Sequence, residues 1–200
     1  MYAIVENSQI KQIITNPKSI VVGDVRYPAK IFQLWSKSEL NNIGIYEVIT
    51  DTTNFKDQAY YNNTNEEYNF ADNQVTRSWG TATPKRLEDE DAVDEDGENI
   101  LDDDGNQVIN YGLKTEKKRI VKQQASGLLA PTDWYVVKAT EVADYDVPNN
   151  ILSFRADVRA KSNEMETQID ACTTVEQLET LYTRDENGTR PLAEFPKEVV

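Results

Sequence analysis

Six apolar residues, Ile151, Phe154, Val158, Met165, Ile169 and Cys172, recur at steps of three, four or seven. Only an α-helix gathers such a spacing into one stripe, so the chain must carry a long helix opening just after Pro148 and a surface for it to pack on. Upstream, Leu113, Ile120, Val121 and Leu128 share a helical face, while Lys114, Lys117, Lys118 and Lys122 cover the remainder. Gly127 weakens the last turn of that helix by about 1 kcal/mol relative to alanine. A third helix starts at Thr173 or Thr174, where Thr174-Val175-Glu176-Gln177 fits a capping box, and turns Val175, Leu178, Leu181 and Tyr182 inward. Asn187-Gly188 is expected to end it, leaving a tail punctuated by proline from Arg190 onward.

The first 83 residues follow a different period. Ala3-Ile4-Val5 and Ile10 to Ile14 are β-prone and flank the turn formers Asn7-Ser8, which reads as a hairpin. Ile20-Val21-Val22 is a short strand closed by Gly23-Asp24, and Tyr27-Pro28 forces an extended backbone ahead of Ile31 to Trp35. Ser36 or Ser38 caps a single helical turn through Glu39-Leu40, stopped by Asn41-Asn42 and Gly44. Ile45 to Ile49 alternates as a half-buried strand, and Glu67 to Trp79 forms a hairpin about Ala71-Asp72-Asn73. The expected fold is α+β: a β-rich module over residues 1–83, an acidic hairpin insertion or linker over 84–112, and a helical module over 113–200.

The middle segment holds most of the chain's charge excess. Between Leu87 and Leu113 lie eleven acidic residues and no lysine or arginine. Setting them aside leaves 24 acidic residues against 21 basic ones, a net of −3 in place of −14. Val93-Asp94-Glu95-Asp96-Gly97-Glu98-Asn99 is echoed eight residues later by Leu101-Asp102-Asp103-Asp104-Gly105-Asn106-Gln107. Each copy places Asp-Gly between short apolar-polar runs, which predicts a three-stranded ribbon of tight hairpins. Such a ribbon buries little and repels itself, so Glu88 to Asp104 is expected to be dispensable for folding.

Charge and composition exclude several classes of function. A chain this acidic repels free nucleic acid and anionic membranes at long range. No run approaches the roughly 18 apolar residues of a membrane helix, and the start Met1-Tyr2-Ala3-Ile4 has neither the basic region nor the apolar run of a signal peptide. With no histidine and Cys172 as the one cysteine, neither a disulfide within the chain nor a His/Cys zinc site can form. The acidic repeats fail as calcium loops. With Gly97 at the sixth position Ala92 falls at the first, and with Gly105 there Ile100 does. A glycosidase pair needs two carboxyls at set separation, one with a raised pKa, and a solvated ribbon does not raise one. Serine and threonine nucleophiles lack a histidine base, and no glycine-rich phosphate loop occurs. Neither an enzyme, a cofactor nor a metal is expected.

Four residues stand out as candidate partner contacts: Asp133, Trp134, Arg155 and Arg159. Trp134 either anchors an interface or plugs the joint between two helices, with Thr132 or Asp133 bonding local backbone. The second reading is the expected one, burying the indole between the preceding helix and the one bearing Phe154 and Val158. Arg155 and Arg159 lie four apart beside the apolar stripe, where they clamp an acidic partner or the chain's own acidic insertion, or pair with nearby carboxylates such as Asp157 or Asp133.

The stretch Leu113 to Arg159 resembles the tail-fibre assembly (tail assembly chaperone) proteins of tailed bacteriophages. Their pattern is a charged helix ending in Leu-Leu-Ala, one residue, Thr-Asp-Trp, and then aromatic-Arg and Leu/Val-Arg pairs. Here Leu128-Leu129-Ala130, Pro131, Thr132-Asp133-Trp134, a short loop, Phe154-Arg155 and Val158-Arg159 hold those places. The first half is similar to modules of phage tail proteins through Tyr2-Ala3-Ile4-Val5, Tyr27-Pro28 and Trp79-Gly80-Thr81. The resemblance implies a protein acting by contacts with tail or tail-fibre proteins, as a fibre assembly chaperone in the host cytoplasm or as a subunit retained in the virion tail, there in a symmetric multimer. The alternative it carries is a polysaccharide-degrading tail enzyme. The chain departs from the pattern after the Arg-bearing helix, adding a capped third helix and a tail through Phe195-Pro196.

Overall fold

Asn7 and Ser8 both take positive φ, 52° and 60°, the turn whose twist matches two antiparallel strands, and so join β1 (Tyr2–Glu6) to β2 (Gln9–Ile14). The computed structural model describes residues 1–197 and is an α+β protein. It divides into two compact units, one over Met1–Pro84 and one from Lys85 onward.

In the first unit, β3 (Ile20–Val22) and β4 (Val25–Tyr27) pair as a second hairpin. After Tyr27-Pro28 the chain forms not one helical turn but two: α1 (Ile31–Leu34) and α2 (Lys37–Asn42). Ser36 caps α2 in a full capping box, its hydroxyl accepting from the Glu39 amide while the Glu39 carboxylate accepts from the Ser36 amide at 2.7 Å. Next come β5 (Ile45–Thr50), β6 (Tyr61–Asn62), β7 (Glu67–Ala71), β8 (Gln74–Ser78) and β9 (Thr83–Pro84). β7 and β8 turn at Asp72-Asn73, again both at positive φ. The main sheet curls in the order β2-β1-β5-β8-β7, and only β5 with β8 is parallel. Alternation along β1 feeds two cores. Ile4 joins Ile14, Ile20, Ile31, Phe32, Leu40 and Ile45, whereas Ala3 and Val5 pack with Val75 on the other side.

The second unit opens on the acidic segment, which is not a three-stranded ribbon. It is a three-armed junction. The amides of Ala92, Ile100 and Val108, eight residues apart, donate in a closed cycle to Val108, Ala92 and Ile100 at 2.8–2.9 Å. One arm is the stem β10 (Glu90–Asp91) paired with β11 (Ile109–Asn110), and the other two are bridged at Val93–Asn99 and Leu101–Gln107. An eight-residue repeat is too short for a strand that pairs on both sides. Each copy therefore folds back on itself, and its carboxylate turns inward: Asp94 Oδ1 accepts from Asp96 and Glu98 amides, Asp102 Oδ1 from Asp104 and Asn106 amides. These amides hold the Asp102 carboxyl below its usual range. The same loop recurs at Asp185-Glu186-Asn187-Gly188-Thr189, with Asp185 Oδ1 accepting from Asn187 and Thr189. Asn187-Gly188 thus closes a turn of its own and does not end the third helix.

Four helices follow: α3 (Leu113–Leu129), α4 (Asp133–Glu141) after a 3-10 turn over Ala130–Thr132, α5 (Asn149–Asp170) and α6 (Val175–Tyr182). All six residues of the α5 stripe are buried, as their spacing predicts. Thr174 caps α6 by accepting from the Gln177 amide, while the Gln177 side chain accepts from Thr173. α3 runs antiparallel to α5, because Lys114 and Lys118 near its start reach Asp170 and its last carbonyls reach Arg155. The α3 face is rotated from the expected one: Lys114, Val121 and Ala125 are buried and Ile120 is exposed. Lys114 belongs there because its ammonium donates to the Asp170 carbonyl at the negative end of α5, and to Glu88 at 2.5 Å. The Asp170 carboxylate holds the Lys118 ammonium above its usual pKa. The tail returns onto the helices, with Leu192 buried and its amide on the Leu181 carbonyl.

Glu88 and Asp89, in the segment expected to be dispensable, make contacts with the start of α3. Glu88 pairs with Lys114, and Asp89 accepts from the Gly112 amide and the Thr115 hydroxyl at the start of α3. Among the described residues, the side chains of the arms beyond the stem make no such contacts with the helices. Because Asp91 and Ile109 are paired across the stem, residues 92–108 can be replaced by Asn-Gly, a two-residue hairpin turn. That variant is expected to keep its helical circular dichroism and to melt within about 1 kcal/mol of the parent, given the little surface the arms bury. Deleting Glu88 to Asp104 is expected to destabilise it visibly in the same melt.

Candidate partner-binding site

The four candidate residues sit around the joint between α3 and α4, and the side chains of only two of them, Asp133 and Arg155, meet. The 3-10 turn over Ala130-Pro131-Thr132 leaves the Leu129 carbonyl without an α-helical partner. Two donors cover it: the Thr132 hydroxyl at 2.7 Å and Arg155 Nη1, arriving from α5, at 3.1 Å. The same Nη1 lies 2.6 Å from Thr132 Oγ1 and 2.8 Å from Asp133 Oδ1. Arg155 is buried, its side chain 10% exposed, whereas the Asp133 side chain is 58% exposed. A single guanidinium nitrogen serves three acceptors at the end of a long side chain. The Thr-Asp pair and the arginine are thus one clasp fixing where α4 leaves α3. Arg155 faces inward and is not at a surface where an acidic partner could meet it. Arg159, one turn on, is exposed and donates to the Arg155 carbonyl at 3.2 Å.

Trp134 does not plug the joint. It is 51% exposed, which overturns the expected burial between the two helices. The clasp explains why: with Thr132 buried and Asp133 bent onto Arg155, the joint is filled by polar groups, and Phe154 packs instead against Ala125, Val158, Leu128 and Leu129. The indole lies on Tyr135, ring centroids 3.8 Å apart.

The feature that sequence reasoning missed is α4 itself, read as a loop. None of its nine residues is buried. Val136, Val137 and, just past its end, Val142 are exposed together with Trp134. The β-branched pair and two aromatics hide the helix from propensity, although Asp133 at its first turn was a usable start signal. Lys138 lies over the rings of Tyr145, 4.2 Å away, and of Trp134 at 5.8 Å.

Burial raises the pKa of the Cys172 thiol, which donates to the Gln168 carbonyl at 3.5 Å. Among the described residues, no group of three His, Cys, Asp or Glu side chains is placed to hold a metal ion, and no helix is long and apolar enough to cross a membrane. No known protein family, curated protein or solved structure matches this chain.

Proposed function

We propose that the protein is a non-enzymatic bacteriophage tail or tail-fibre associated protein that works by protein–protein contact through its helical unit. The observation that carries this reading is α4: a helix with no buried residue that displays Trp134, Val136 and Val137 to solvent. A nine-residue helix of valine and aromatic residues is too short and too poor in propensity to stand alone in water, and tryptophan is the residue most enriched among interface anchors. Support for the tail comes from the sequence resemblance, four of whose residues, Leu129, Thr132, Asp133 and Arg155, form the clasp that presents this helix. Trp134 is the proposed anchor, with Asp133 and Arg155 acting through its placement.

Capture from phage-infected cells tests the reading. The full chain is expected to retain a tail or tail-fibre protein, and Trp134→Ala to lose it. Because the indole is half exposed, the variant's melting free energy is expected to fall by less than about 1 kcal/mol, while binding weakens by at least about 2 kcal/mol, roughly thirtyfold. Retention of host metabolic proteins alone, by parent and variant alike, would discard the tail assignment. Mass spectrometry of purified particles separates the two forms of the role: stoichiometric presence makes it a tail subunit, absence an assembly chaperone.

A further inference from the structure

We infer that the occupant of α4 is a basic amphipathic segment, lysine- or arginine-bearing on its polar side, supplied by a different protein and not by a second copy of this chain. The inference rests on reading α4 as a contact surface and adds what that surface selects. Its basis is which charges around the helix are already engaged. Asp133 is held by Arg155. Lys138, the one cation on α4, lies over Tyr145 and Trp134, so its charge is directed at this chain's own rings. Arg159 donates back to the α5 backbone.

Glu141, at the last position of α4, and Asp144 and Asp146 in the turn that follows are exposed, and none of the three makes an ion pair or a side-chain hydrogen bond among the described residues. The apolar residues Trp134 and Val137 are therefore followed along the chain by three uncompensated carboxylates, the first of them next to Val142. A second copy would bring the same three carboxylates, on a chain of net charge −14, against them. Like-charge juxtaposition at an interface is strongly unfavourable, whereas opposite charge sets register and speeds encounter. A helix laid against α4 with leucine-type residues on Trp134 and Val137 and cations beyond them satisfies both requirements.

The full chain is titrated with a synthetic amphipathic helix of leucine and lysine heptads, and with its leucine/glutamate counterpart, following the emission of Trp134 as the difference from a Trp134→Phe variant. The lysine peptide is expected to shift that emission to the blue saturably, and the glutamate peptide not to. Val137→Asp is expected to abolish the shift with unchanged circular dichroism. The triple variant Glu141→Lys, Asp144→Lys, Asp146→Lys is expected to weaken the lysine peptide about tenfold or more and to gain the glutamate peptide. Neutralising the outer arm residues by Glu95→Gln, Glu98→Gln and Asp103→Asn is expected to change nothing.

A shift that survives the triple reversal but vanishes with the arm variant would overturn the inference, as non-specific attraction to the arms. So would self-association of the free protein that Val137→Asp abolishes, or binding to anionic phospholipid vesicles that the lysine peptide does not displace. Failure of the tail reading is distinguishable, because it removes tail proteins from the capture while leaving the peptide preference and its inversion intact.

Discussion

Arg155→Met is expected to destabilise the helical unit by about 2–4 kcal/mol, the range for stripping a buried site of its charged hydrogen-bond donor. Methionine fills much of the volume, so the loss is chemical more than spatial. The Thr132 hydroxyl still donates to the Leu129 carbonyl but loses the guanidinium at 2.6 Å, and Asp133 loses the partner at 2.8 Å that bends the first turn of α4. Thermal melts followed by helical circular dichroism should show a fall of several degrees for each kcal/mol in a unit of this size. Asp133→Asn should cost far less, under about 1 kcal/mol, because its carboxylate is already 58% exposed and half-solvated. Arg155→Lys is expected to rescue only part, since the lysine side chain is one atom shorter than the path to Nη1 and its ammonium falls short of the three acceptors. A methionine variant that melts with the parent would show that the clasp positions nothing. If it is right, that variant also loses partner capture at temperatures where it is still folded, because α4 is no longer held at its angle.

Gly112→Ala is expected to be comparably severe, about 2–3 kcal/mol, for a purely steric reason. Gly112 has φ −85°, open to any residue, so the backbone conformation is not what demands glycine. A Cβ there would come within 2.5 Å of the Leu87 carbonyl oxygen, and the obstacle is backbone that cannot swing aside. The crowding arises because the chain leaving the acidic stem and the chain entering it cross at this point. The Leu113 and Lys114 amides donate to the Arg86 and Leu87 carbonyls, and the Gly112 amide donates to Asp89. Opening that crossing frays the start of α3 and releases Lys114 from Glu88. Gly127→Ala is the contrasting control: a Cβ there meets nothing within 4 Å, and removing glycine from the interior of α3 should stabilise by about 0.5–1 kcal/mol. Denaturant midpoints of the two variants should move in opposite directions, and a common direction would contradict the packing at Gly112.

Periodicity carried much of the helical unit because its signal is local. The α5 stripe from Ile151 to Cys172 needs only the 3.6-residue period and a packing partner, and every one of its members is buried. The caps at Ser36 and Thr174 were equally legible, since a hydroxyl three residues before a matching Glu or Gln satisfies orphan amides within one turn. Turn chemistry placed the hairpins at Asn7-Ser8 and Asp72-Asn73 for the same reason. The acidic repeat was legible as paired tight turns but not as a three-armed junction. The cycle from Ala92 to Val108 to Ile100 joins residues that no two-strand rule relates.

What the sequence by itself determined was wherever the stabilising partner lies within a turn of the residue that needs it: helix periods, caps, hairpin turns, and the α+β division between a period of two and one of 3.6. What only the tertiary structure decided was which side chains are neutralised by distant ones. Arg155 and Asp133 are 22 positions apart, Lys118 and Asp170 are 52 apart, and Lys114 and Glu88 are 26 apart. Each such contact changes what its neighbours must do. Once the joint after α3 is filled by a buried guanidinium, an indole one residue past Asp133 has no room inside. Trp134 is therefore half exposed, and the residue that composition marks as core becomes the residue offered to a partner. Burial belongs to the sum of contacts around a site, and that sum is set by chain segments the local pattern cannot see.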